Sequence, residues 1–137
     1  MTRVMAQGVF DILHPGHLHY LRESAELGDE LHVVIARDSR VAERKDLAMD
    51  EDSRREMVDA LEMVDEAVLG SEESIFDTVE EVRPDVITLG YDQHHDEEEL
   101  EEKLEEHGFG DVEVVRIGRY EGEIESSSEI REKLGPG

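Results

Sequence analysis

Two imidazoles three positions apart, His14 and His17, flank Pro15 and Gly16 in the stretch GVFDILHPGHLHYL. A Pro-Gly pair sets a tight turn, and His17 then falls in the first turn of the helix that follows. There the free backbone N–H groups and the positive end of the helix dipole favour an anion. Two imidazoles beside that anion can donate hydrogen bonds to phosphate oxygens. The plainer alternative makes both histidines ordinary turn and cap residues. The strand-ending G-V-F-D before them and the amphipathic helix after them favour the phosphate reading.

Positioning those groups requires a strand, a turn and a helix, and the rest of the chain supplies the same units repeatedly. Apolar β-type runs at 4–10, 30–36, 66–70, 85–90 and 112–117 alternate with helix-type segments. The first helix carries Leu18, Leu21 and Ala25 at helical spacing, with Gly28 as its expected C-terminal cap. A second is expected to start near Ser53, where S-R-R-E has the form of a capping box, with Met57, Ala60, Leu61 and Val64 on one side. A third spans 74–82 and must stop before Pro84. A fourth covers DEEELEEKLEEHG with Leu100 and Leu104 as its apolar stripe, and a short fifth covers 128–134. Strands separated by helices imply parallel βαβ units and one domain, residues 1–137. The fold class expected is α/β: a Rossmann-like three-layer α/β/α sandwich around a mostly parallel five-stranded sheet.

In such sheets ligands bind outside the carboxyl ends of the strands. The loop carrying Phe10, Asp11 and HPGH should therefore meet the loop with Tyr91 and Asp92 and the segment 119–128.

Charge narrows the partners. With 38 acidic and 14 basic residues the formal net charge is −24, and lysine occurs only at 45, 103 and 133. Regular apolar segments argue against an acidic disordered chain. A folded protein adapted to a salty cytoplasm fits better, because at molar salt the Debye length falls to about 3 Å and surface carboxylates scarcely repel one another. The same charge disfavours nucleic acid and anionic membrane surfaces. No cysteine is present, which excludes disulfides and thiolate metal sites. The sequence shows no membrane span and no signal peptide, so a cytoplasmic location is expected. Arg37, Arg40, Arg44, Lys45, Arg54 and Arg55 hold six of the fourteen basic residues, a concentration that suits phosphate recognition, with Lys45 and Arg55 as the first candidates. Tyr20 and Tyr91 could stack on an aromatic ligand, Tyr20 equally belonging to the core.

GVFDILHPGH resembles the G-x-F-D-x-x-H-x-G-H signature of the nucleotidyltransferase superfamily that includes glycerol-3-phosphate cytidylyltransferase and pantetheine phosphate adenylyltransferase. LGYDQH at 89–94 and SSSEI at 126–130 occupy the places of that superfamily's later nucleotide contacts. With VLGSE and EVVRI, the combination is most similar to the archaeal FAD synthases, single-domain adenylyltransferases acting on FMN. The segment R-Y-E-G-E-I-E-S-S-S departs from the R-T-E-G-I-S-T-T of the cytidylyltransferases, which weighs against CTP and glycerol phosphate.

The resemblance implies transfer of AMP from ATP to the FMN phosphate, with Mg²⁺ or another divalent cation as cofactor. It assigns catalysis to His14 and His17, and ATP binding to Val9, Phe10, His14, Pro15, Gly16, His17, Asp92, Arg119, Ser127 and Ser128. Asp11 either supports its loop or helps to hold the metal. Related enzymes are often dimers, so a homodimer is one option. A CTP-dependent cytidylyltransferase acting on a polyol phosphate and a nucleotide-binding module without turnover remain the alternatives.

Overall fold

A computed structural model describes residues 1–40, 49–90 and 96–118, Arg40 by its backbone alone. Five strands, β1 (Arg3–Gly8), β2 (Glu30–Ile35), β3 (Glu66–Leu69), β4 (Val86–Leu89) and β5 (Glu113–Arg116), alternate with four helices. These are α1 (Pro15–Glu26), α2 (Glu51–Asp59), α3 (Ile75–Val82) and α4 (Glu97–Glu106), with a short 3-10 turn at Asp38–Arg40. All strand pairs are parallel, in the order β3-β2-β1-β4-β5. Strand order reverses beside β1, so the crevice outside the carboxyl ends of β1 and β4 is where this topology admits a ligand.

The two-residue period of the strands divides the core into layers. Val4 and Ala6 of β1, with Leu31, Val33 and Ile35 of β2, face Tyr20 and Leu21 of α1 and Val58 of α2. Met5, Val34, Ile87 and Leu89 point the other way, against Val79 and Val82 of α3 and Leu100 and Leu104 of α4. The expected three-layer sandwich is therefore the fold.

Local chemistry moves several boundaries. The second helix begins before Ser53, because the Asp50 carboxylate accepts from the Ser53 N–H at 2.8 Å and is the N-cap. That hydrogen bond also holds its carboxyl below the usual carboxylate range. The helix ends at Asp59, so Leu61 and Val64 lie beyond it and Met57 is exposed. Its inward side is instead Arg54 and Val58, four residues apart.

Gly28 does not cap α1 in a left-handed conformation. Leu27 is the C-cap, and a Cβ at Gly28 would sit 2.7 Å from the Thr2 carbonyl oxygen. Glycine is needed there for close approach. Arg83, with φ of 55°, supplies the left-handed end of α3 just before Pro84.

Tyr20 is core. Its hydroxyl donates to the Thr88 carbonyl at 2.7 Å and accepts from the Gln7 N–H at 3.1 Å, which ties α1 to β1 and β4 directly beneath the crevice.

Candidate active site

Where β1 ends, the chain turns sharply into α1. Phe10 has φ of 52°, in the left-handed region that costs a bulky residue free energy and persists only when surrounding contacts impose it. Its ring is buried, stacked on Tyr20 with centroids 6.5 Å apart and edge-on to His17 at 5.2 Å. Gly8 makes room for it: a Cβ there would lie 2.9 Å from Phe10 Cε2 and Cζ.

His14 is the N-cap of α1, followed by Pro15 at the first helical position. Its Nδ1 accepts from the Gly16 N–H at 3.0 Å, and its carbonyl accepts from the His17 and Leu18 N–H groups. A ring that accepts at Nδ1 carries its proton on Nε2 when neutral. The cap thus fixes the tautomer that carries the proton on Nε2.

His17 stacks on His14 with ring centroids 3.8 Å apart and planes 26° from parallel. Burial, reinforced by the neighbouring His14, lowers the His17 pKa to about 3, against the opposing influence of Asp11 and the Ile12 carbonyl. Its Nδ1 is buried without a hydrogen-bond partner among the described residues. An unsatisfied buried nitrogen costs about 1–3 kcal/mol, and such sites call for a functional explanation. A stacked imidazole pair at a helix N-terminus has the features that a polyphosphate would complete.

Asp11 is buried, and its Oδ1 accepts from the Met49 N–H at 3.0 Å. This contact supports the loop reading of Asp11. No group of three His, Cys, Asp or Glu side chains able to hold a metal occurs among the described residues. One carboxylate nevertheless suits Mg²⁺, which is usually held by one or two carboxylates together with substrate phosphates and water.

The structure brings Val9, Phe10, Asp11, His14, Pro15, Gly16 and His17 to one edge. The Val9 carbonyl is already engaged, since Arg54 Nη1 donates to it at 2.8 Å. Asp92, Arg119, Ser127, Ser128 and Lys45 lie outside the described residues, as do Tyr91 and the expected fifth helix. The basic cluster divides. Arg55 is half-buried at the surface, and its side chain makes no hydrogen bond or ion pair with another described residue. Arg37 and Arg54 are committed to backbone carbonyls and carboxylates, so neither is a free phosphate ligand. Sequence reading missed that role of Arg54. The signal was its position four residues before Val58, on the inward side of α2.

The cytidylyltransferase-like family model matches residues 5–133. The chain belongs to this family. It is 56% identical over 133 residues to the FAD synthase of Picrophilus torridus, covering 96% of this chain and 95% of the relative. Against the FAD synthase of Haloferax volcanii it is 51% identical over 138 residues, covering 98% and 96%. Among solved structures it is similar to a Thermoplasma volcanium protein described as a lipopolysaccharide core biosynthesis protein. The TM-score is 0.84 at 53% identity, covering 88% of this chain and 99% of that one.

Proposed function

We propose that this protein is an FMN adenylyltransferase, making FAD and pyrophosphate from ATP and FMN. The carrying observation is the His14–His17 pair, stacked at a helix N-terminus at the switch point of the sheet, with the His14 tautomer fixed by its cap. Relatives called FAD synthase at high identity over nearly the whole chain support FMN as acceptor.

The chemistry asks for position and charge neutralisation rather than a strong base. The second pKa of a phosphate monoester is about 6, so the FMN phosphate is already largely dianionic at neutral pH. One of its oxygens attacks the α-phosphorus of ATP in line, a new P–O bond forms, and the bond to the pyrophosphate oxygen breaks. His14 Nε2–H donates to the oxygens on which charge builds. His17 enters this role neutral, and polyphosphate beside it favours uptake of a proton. Phe10 shields the pair from water on one side. Val9, Pro15 and Gly16 shape the phosphate cradle, while Asp92, Arg119, Ser127 and Ser128 complete the ATP site, and Lys45 and Arg55 take substrate phosphate. Asp11 would be the carboxylate to help hold Mg²⁺ or another divalent cation, which when bound would supply neutralisation of charge on the leaving pyrophosphate.

The protein is haloadapted and cytoplasmic, a single domain working without nucleic acid or membrane, with a homodimer as one option for its assembly. No helix among the described residues is long and apolar enough to cross a membrane.

Incubation in about 2 M KCl, where surface charge is screened within about 3 Å, tests the reading. With Mg²⁺, FMN and ATP, equal amounts of FAD and pyrophosphate are expected, and none with CTP. Product from CTP and glycerol phosphate instead would replace FMN and ATP by the cytidylyl reaction.

A further inference from the structure

Four backbone carbonyls end the strands at the ligand edge, and each accepts from a guanidinium. The four belong to Val9, Ala36, Gly70 and Gly90, each one residue past the end of β1, β2, β3 and β4 respectively. Arg37 Nε donates to Gly70 at 2.7 Å, and Arg116 Nη1 donates to Gly90 at 2.7 Å. Arg54 Nη1 holds the ends of the adjacent strands β1 and β2 at once, 2.8 Å from the Val9 oxygen and 2.8 Å from the Ala36 oxygen. Each guanidinium is also paired with a carboxylate: Arg37 with Glu51, Arg54 with Asp38 and Arg116 with Glu97.

At the ligand edge the partial negative charge of these carbonyls would oppose a polyanionic substrate. In a chain with 14 basic residues against 38 acidic ones, three arginines are spent on neutralising and fixing them. Arg54 is the centre of this brace. Its side chain is fully buried, and its Nε also donates to the Met49 carbonyl. The Met49 N–H in turn donates to Asp11. The entry to α2 and the Val9–Asp11 loop are thereby latched in both directions.

We propose that Arg54 is a positioning residue for nucleotidyl transfer. Held by its fork, the Val9 carbonyl fixes the peptide that forces Phe10 into its left-handed conformation, and Phe10 sets the plane of the His17 ring. The proposal rests on the adenylyltransferase reading for its kinetic arm alone. A lysine can keep the charge but cannot reproduce a planar fork with several donors.

Arg54→Lys is tested at about 2 M KCl, where screening keeps the acidic fold compact. A displacement of about 1 Å at reacting groups costs roughly 100-fold in rate, so kcat should fall by about that factor. KM for ATP and FMN should stay within about threefold, since Arg54 binds neither substrate. Hydrogen exchange read by mass spectrometry should show peptides covering 8–11 exchanging at least about tenfold faster, with β2 and β4 protected as before. A variant that merely melts earlier, with unchanged kcat and exchange raised uniformly, would overturn the proposal and leave Arg54 a stabilising residue only. A loss confined to KM would also overturn it, in favour of direct substrate contact. Should Arg54→Lys fail to fold, Asp38→Asn removes the carboxylate and leaves the carbonyl contacts. It should then lower kcat by about threefold to tenfold at constant KM, and an unchanged kcat overturns the proposal. If the unmodified protein forms no FAD, the acceptor assignment fails, and the exchange arm still decides the brace.

Discussion

Gly8→Ala is the smallest perturbation that reaches the catalytic pair without touching it. The added methyl would stand 2.9 Å from Phe10 Cε2 and Cζ, whereas carbon atoms in contact settle at about 3.5–4.0 Å. One partner must therefore move by about 0.6–1.1 Å. The β1 backbone is pinned by a six-residue register with β2, so the Phe10 ring yields. Phe10 is buried and lies edge-on to His17, and its displacement passes to the imidazole. A shift of about 1 Å at a catalytic group costs roughly 100-fold, or about 2.7 kcal/mol of transition-state stabilisation. Overpacking adds about 1–3 kcal/mol of lost stability. FAD formation measured by chromatography at saturating ATP and FMN should thus show kcat reduced by about two orders of magnitude in protein that is still folded. Gly108→Ala is the control. It strains a residue with φ of 87° but meets nothing within 4 Å, so it should lower the melting temperature and leave kcat unchanged. Gly8→Ala with kcat within about twofold of the unmodified protein would refute the coupling of Phe10 to His17.

Other outcomes follow from the same geometry. His14→Asn retains an N-cap acceptor but removes the Nε2–H donor, so stability should stay within about 0.5 kcal/mol while FAD formation falls at least about 100-fold; His14→Ala loses about 1 kcal/mol as well. His17 gives stability a pH signature, because its folded pKa of about 3 lies below that of the unfolded chain. The unfolded state takes up the proton first as pH falls through about 6.5, so stability declines by up to about 1.4 kcal/mol per pH unit until the folded group titrates. Urea unfolding of His17→Gln between pH 4 and pH 7, compared with the unmodified protein, should show that component of the slope removed. At a net charge of −24, lowering KCl from about 2 M to about 0.1 M lengthens the Debye length from a few Å to about 10 Å. Calorimetry should then record a lower melting temperature, and an unchanged one would refute haloadaptation.

Much of this architecture is legible in the sequence because one pattern serves two purposes. The period-2 alternation that identifies the strands also sends Val4 and Ala6 to one layer and Met5 to the other. The G-V-F-D-x-x-H-P-G-H order is readable because glycine, proline and an N-cap acceptor each have a local conformational preference. Less legible are features that depend on distant contacts. Gly28 looks like a helix terminator, yet its requirement comes from Thr2, 26 positions earlier and on a different element. The left-handed Phe10 has no local signal, since nothing in its own side chain favours that conformation. Arg54 misleads most. Judged by polarity it belongs with Arg55 at the surface, whereas the unsatisfied carbonyls of two strand ends make its buried position favourable. Sequence periodicity counts apolar side chains and does not register backbone acceptors that need a donor.

The central claim is direct, in-line transfer of AMP to the FMN phosphate at the His14–His17 pair. It is tested most directly with ATP carrying a single diastereomeric sulfur at the α-phosphorus. Incubated with FMN and the protein in high salt, this substrate should yield pyrophosphate and the thio-analogue of FAD with inverted configuration, read by phosphorus NMR. Retained configuration would require two displacements through an adenylylated protein side chain, and it would contradict the account, as would the absence of any flavin dinucleotide from folded protein.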